Sequence, residues 1–96
     1  MELYVKDQQL MLVGQIDFNN AEHVYQQGLK IIQSHPLPLV INGEALEHGS
    51  TLALAVFVQW VRHVPHTHDL VFKALTKKML NILQASHLDH ELTLSH

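Results

Sequence analysis

The chain contains no cysteine, so neither a disulfide framework nor a Cys-ligated zinc site is open to it, and the fold rests on packing. That suits a reducing compartment. The start, Met1-Glu2-Leu3-Tyr4, has neither the basic residues nor the long apolar stretch of a secretory signal, and a cytoplasmic location is the expectation. Cations are also scarce: six Lys and Arg against nine Asp and Glu leave a formal charge of −3. A nucleic-acid surface needs clustered cations to displace phosphate counterions, so nucleic acid is not an expected partner. No long hydrophobic run is present; the longest, Leu52–Val58, is far below the roughly 18–20 residues that cross a bilayer. Any membrane association is then indirect or superficial. The few glycines never form the phosphate-cradling loop that ends in Gly-Lys, so no nucleotide site or other cofactor is expected.

What is present fits one small globular domain spanning 1–96, being 47% hydrophobic and 16% charged. A core of this size leaves little room for an elaborate active site. Nine histidines are the compositional excess, and protonating all of them would add nine charges to −3 and reach +6, making the net charge strongly pH-dependent.

Leu3–Lys6 and Leu10–Ile16, separated by Asp7-Gln8-Gln9, predict a leading β-hairpin. Asp17, Asn19 and Asn20 offer N-caps for a helix beginning near Ala21, with Glu22 in its first turn. Ala21, Val24, Tyr25, Leu29, Ile31 and Ile32 recur at helical spacing, and Gly28 weakens the pattern. Pro36 and Pro38 close that helix. Leu39-Val40-Ile41 follows as a buried strand, which suggests a right-handed parallel crossover. Ser50 and Thr51 can cap a second helix running to about Val64, ended by Pro65. Leu70-Val71-Phe72 reads as the last main strand. Thr76 caps a third helix through about Ser86 with Met79, Leu80 and Leu83 as its apolar stripe, and Leu88–Leu94 is a short return segment. The expectation is an α/β fold, β-β-α-β-α-β-α, with a small mixed sheet and three main helices.

Two constellations invite a chemical reading and do not sustain it. His63, His66, His68 and Asp69 lie close in sequence, but zinc needs fixed ligand geometry and supporting hydrogen bonds, so a solvated His-rich loop is expected. Ser50, His48 and Asp69 supply triad residue types without a Gly-x-Ser-x-Gly elbow, and a triad is defined by geometry rather than by composition. No catalytic activity is expected.

The segment Leu52–Val64 is apolar at ten of its 13 positions. A helix lying on a sheet needs one apolar stripe, so the excess implies a second burial event, either deeper burial in this domain or docking to another protein. At about 100° per residue, Ala53, Phe57, Trp60, Val61 and Val64 fall on one arc, assigned to the sheet. The opposite arc carries Thr51, Leu52, Ala55, Val56, Gln59, Arg62 and His63. Its small or apolar N-terminal half and polar C-terminal half match an interface with a dry centre and a wet rim.

Four segments in this order resemble the STAS family. Leu12-Val13-Gly14-Gln15-Ile16-Asp17 looks like the family's Leu-x-Gly-x-Leu-Asp strand end, and Leu39-Val40-Ile41-Asn42-Gly43 like the strand that ends Asp-Leu-Ser-Gly. Glu47-His48-Gly49-Ser50-Thr51-Leu52-Ala53-Leu54 is similar to the loop and helix start that reads hydrophobic-Asp-Ser/Thr-x-Gly-Leu-x-x-Leu, with His48 for the Asp, Gly49 for the Ser or Thr, and Thr51 for the Gly. Leu75-Thr76 through Leu88-Asp89 resembles the last helix and turn, Ser86-His87 replacing Ser-Gly. The resemblance implies a protein-binding domain. In the family's anti-sigma factor antagonists the Ser or Thr is phosphorylated, which Gly49 forbids; only Ser50 or Thr51 could carry a phosphate. The resemblance therefore points to the MlaB-type subunits that bind the ATPase of lipid-trafficking ABC transporters, with an antagonist of a kinase-like anti-sigma factor as the alternative. Taken with the helical arc, the expected partner surface is His48, Gly49, Ser50, Thr51, Leu52, Ala55, Val56, Gln59, Arg62 and His63.

Overall fold

The structure, a computed structural model, describes residues 1–49 and 51–95. In chain order its elements are β1 (Glu2–Lys6), β2 (Gln9–Val13), α1 (Ala21–Ser34), β3 (Leu39–Asn42), α2 (Thr51–Val61), β4 (Leu70–Lys73), α3 (Lys77–Ala85) and β5 (Thr93–Leu94). The sheet runs β1-β2-β3-β4-β5, with β1 antiparallel to β2 and every later pair parallel. Each parallel step advances in the same direction through a helix. Right-handed crossovers then place α1, α2 and α3 side by side on one face. Leu3, Leu10, Leu12, Leu39, Ile41, Leu70 and Phe72 are buried on that face, while the alternate residues Tyr4, Met11, Val40 and Val71 stay partly exposed on the other.

The hairpin turns through Asp7 and Gln8 alone, both at positive φ, as the twist of a two-residue connection requires. β2 stops at Val13 rather than Ile16 because Gly14 takes φ +111° and leaves the strand. Its N–H donates to Ala45 O at 3.2 Å and its carbonyl accepts from Glu47 N at 2.7 Å, which ties the β2–α1 and β3–α2 loops together. The buried Asn42 is satisfied, donating through Nδ2 to Gln9 Oε1 at 2.9 Å and accepting from Glu44 N at 2.8 Å.

Other expectations shift in detail. Asn20 holds the N-cap position of α1 without a side-chain cap; its carboxamide instead braces the preceding turn. α2 ends at Val61, not Val64, where His63 N and Val64 N bond to carbonyls three residues back and the last turn tightens ahead of Pro65. Thr76 does cap α3, accepting from Met79 N at 3.2 Å. On α3, Met79 and Leu83 are buried, but Leu80 faces outward. The return segment forms β5, and the N–H of Ser95 just after it donates to Phe72 O at 2.9 Å.

Candidate functional site

The expected partner surface starts in the β3–α2 loop. His48 is exposed and held at φ 50°. Gly49 is buried, contrary to an outward role: a Cβ there would lie 2.5 Å from Met79 Cγ, 2.6 Å from Met79 Sδ and 3.0 Å from Thr76 Oγ1. The glycine lets the start of α3 close over the loop. Ser50 lies outside the described residues. Gly49→Ser is therefore expected to cost about 1–3 kcal/mol through overpacking, readable as a lower midpoint in chemical denaturation; an unchanged midpoint would show that Met79 yields freely.

Along α2 the outward stripe is narrower than the sequence suggests. Thr51, Ala55, Gln59, Arg62 and His63 are exposed and Leu52 is half-buried, whereas Val56 is only 6% exposed. The correction has a plain cause. α2 is the middle helix, so besides the sheet it meets α1 on one flank and α3 on the other. Phe57 faces the sheet, its ring centroid 5.0 Å from that of Phe72. Val56 and Trp60 lie toward α1, with Trp60 Nε1 donating to Tyr25 O at 3.0 Å. Leu54 and Val58, also buried, fall on the opposite flank of Phe57. Much of the apolar excess is thus spent inside the domain.

What remains outward is a shallow groove of about 330 Å³ between α1 and α2, lined by Ala21, Glu22, Tyr25, Ala55, Val56 and Gln59. Val56 reaches it only as its floor. At one end the Tyr25 hydroxyl and His63 Nε2 hydrogen-bond at 2.7 Å, which fixes His63 against α1. Beyond the other end lies a cavity of about 390 Å³ lined by Gln15, Ile16, Asp17, Phe18, Thr51 and Leu52. Phe18 there is 93% exposed. Sequence periodicity did not select it, because it belongs to no helix or strand; the available signal was an aromatic residue inside the polar stretch Asp17-Phe18-Asn19-Asn20.

The catalytic and metal constellations do not assemble. Asp69 Oδ2 accepts from His66 N at 3.0 Å at the N-terminal end of β4, whereas His48 follows β3 at the opposite end of the sheet. His66 and His68 stack with centroids 5.3 Å apart while His63 turns to Tyr25. Among the described residues no three His, Asp or Glu converge as metal ligands, and no helix is long and apolar enough to cross a membrane.

A five-stranded mixed sheet with its helices on one face, and a glycine-containing loop that leads into the middle helix, define a STAS-type domain. The family model described as "Mlab, STAS domain" matches residues 3–94, and the chain belongs to this family. It is similar to a chain of the Acinetobacter MlaFEDB complex in an ATP-bound Vtrans2 conformation, with 48% identity, 99% of this chain and 100% of that one covered, and a TM-score of 0.89. The Vtrans1 conformation of that complex gives 49% identity, 97% and 98% coverage and a TM-score of 0.86. An anti-sigma factor antagonist from Mycobacterium paratuberculosis shares the fold at 19% identity, 97% and 81% coverage and a TM-score of 0.76. Among curated proteins nothing matches.

Proposed function

We propose that the chain is a non-enzymatic STAS subunit of an ABC transporter for phospholipid trafficking, of the kind that maintains outer-membrane lipid asymmetry, and that it binds and supports the cytoplasmic ATPase of that complex. The observation that carries this reading is the 48% identity over essentially both full lengths to a chain of the MlaFEDB complex. The chain would then sit on the cytoplasmic side of the inner membrane and touch it only through the complex. ATP chemistry belongs to the partner; this chain contributes a rigid docking face. The antagonist alternative has the shared fold in its favour at 19% identity, and the position that would be phosphorylated is the buried, hydroxyl-free Gly49.

The docking face we assign is His48, Thr51, Leu52, Ala55, Gln59, Arg62 and His63, with Val56 beneath it. Ala55 stands at the middle of the stripe, exposed and flanking the groove. In co-expression with the transporter ATPase, the wild-type chain is expected to co-purify with it, and Ala55→Glu to lose most of that recovery while its circular dichroism and solubility stay unchanged. A charge on an exposed position is costly only once a partner covers it. Equal recovery of Ala55→Glu would remove the stripe from the interface, and absence of ATPase from the wild-type eluate would overturn the transporter assignment.

A further inference from the structure

Phe18 is 93% exposed, whereas Phe57, Trp60 and Phe72 are each at most 1% exposed. The turn that carries it is built with care. Asp17 Oδ1 accepts from Asn19 N at 2.9 Å and from Asn20 N at 3.0 Å. Asn20 Oδ1 accepts from Asp17 N at 2.9 Å, and its Nδ2 donates to Gln15 O at 2.8 Å. Ala21 N closes onto Asp17 O at 2.9 Å as α1 begins. Side chains on both sides of Phe18 thus hold its backbone in one shape, and the ordering cost of presenting the ring is met before any partner arrives.

The charged side chains that flank the ring in the chain and across the Gly14 link are acidic, while the amine of Met1 packs against Gly14. Asp17 is the neighbour of Phe18, Glu22 lies in the first turn of α1, and Glu47 is joined through its N–H to Gly14 O at the end of β2. Between Asp7 and Val61 the only Lys or Arg is Lys30, two turns further along α1 than Glu22. Lys73 ends β4, two strands away from β2 or about 10 Å, while Lys77 and Lys78 open α3, whose Thr76 and Met79 border Gly49 on the far side of the β3–α2 loop from Gly14.

We infer that Phe18 is the anchor of the docking face: with its acidic collar of Asp17, Glu22 and Glu47 it inserts into an apolar pocket, bordered by Lys or Arg, on the ATPase subunit. This rests on the transporter reading above. Charge selects this occupant over two others. A twofold contact between copies of the chain would set collar against collar, and an anionic lipid surface would repel it. The ring adjoins the cavity lined by Thr51 and Leu52, which continues the α2 stripe, so anchor and groove form one surface. An aromatic anchor surrounded by weaker contacts is the usual anatomy of an interaction hot spot.

The test uses the full chain and the purified ATPase subunit of the same transporter, with dissociation constants from calorimetry for wild type, Phe18→Ser and the double variant Glu22→Lys/Glu47→Lys. Phe18→Ser is expected to bind about 30-fold more weakly with an unchanged thermal midpoint. The charge-reversed variant is expected to bind more weakly and to lose the salt dependence of the wild type. A wild type that binds while Phe18→Ser binds equally well overturns this inference and leaves the transporter reading standing; a wild type that does not bind overturns both. Sedimentation showing a wild-type dimer that Phe18→Ser dissolves would assign the ring to a second copy, and pelleting with phosphatidylglycerol vesicles that Phe18→Ser abolishes would assign it to lipid. Either result overturns the inference.

Discussion

Phe57→Ala is expected to lower the free energy of unfolding by about 3–5 kcal/mol. The ring is fully buried and sits between two other aromatic rings, 5.6 Å from Trp60 on its own helix and 5.0 Å from Phe72 on β4. Removing it opens a cavity at the point where α2 meets the sheet, and neither neighbour can fill it without abandoning its own contacts. Small domains hold only about 5–15 kcal/mol in total, so the loss consumes a large share of the stability. Urea denaturation reads it directly, and Phe57→Leu, which keeps more of the volume, is expected to lose less. A midpoint unchanged in Phe57→Ala would mean that the ring is not part of the core.

Phe57 was legible in the sequence because it repeats with Ala53, Trp60 and Val61 on one arc of an apolar helix; helical spacing likewise marked α1 and α3, while short apolar runs bounded by polar or proline breaks marked the hairpin, β3 and β4. Where the reading departed from the structure, the cause was a contact between residues distant in sequence. Val56 lay on the arc opposite Phe57, and a helix packed on a sheet alone would expose it; α1 and α3 flanking α2 widen the buried arc beyond what one partner surface implies. β5 is two residues long and exists through its pairing with Val71 and Phe72, a length at which alternation carries no signal. β2 ended early because Gly14 bonds to the β3–α2 loop. Phe18 lines a cavity with Thr51 and Leu52 at the start of α2, so the exposed stripe of α2 was visible in the pattern and the exposed ring beyond its end was not.

Gly28 shows most sharply how local and tertiary readings can differ in sign. By helix propensity alone, Gly28→Ala in the middle of α1 would stabilise the chain by about 0.8–1 kcal/mol. The structure predicts the opposite. A Cβ at Gly28 would overlap Trp60 Cζ2 and lie 2.6 Å from its Cε2 and 3.0 Å from its Cη2. The indole has no room to retreat, being fully buried, stacked on Phe57, and fixed through Nε1 to the Tyr25 carbonyl at 3.0 Å. The methyl group must therefore push α1 away from α2, and the expected net cost is about 1–3 kcal/mol even after the propensity gain. Denaturation followed by the emission of Trp60, the chain's single tryptophan, checks both parts: a lower midpoint, and a native spectrum shifted to the red as the separated helices admit water to the indole. A raised midpoint would mean that α1 and α2 do not meet at Gly28. Because the groove lined by Tyr25 and Ala55 is the outer edge of this same helix contact, moving α1 also displaces one wall of that groove, so under the proposed docking Gly28→Ala is expected to weaken ATPase binding without changing any residue of the proposed face.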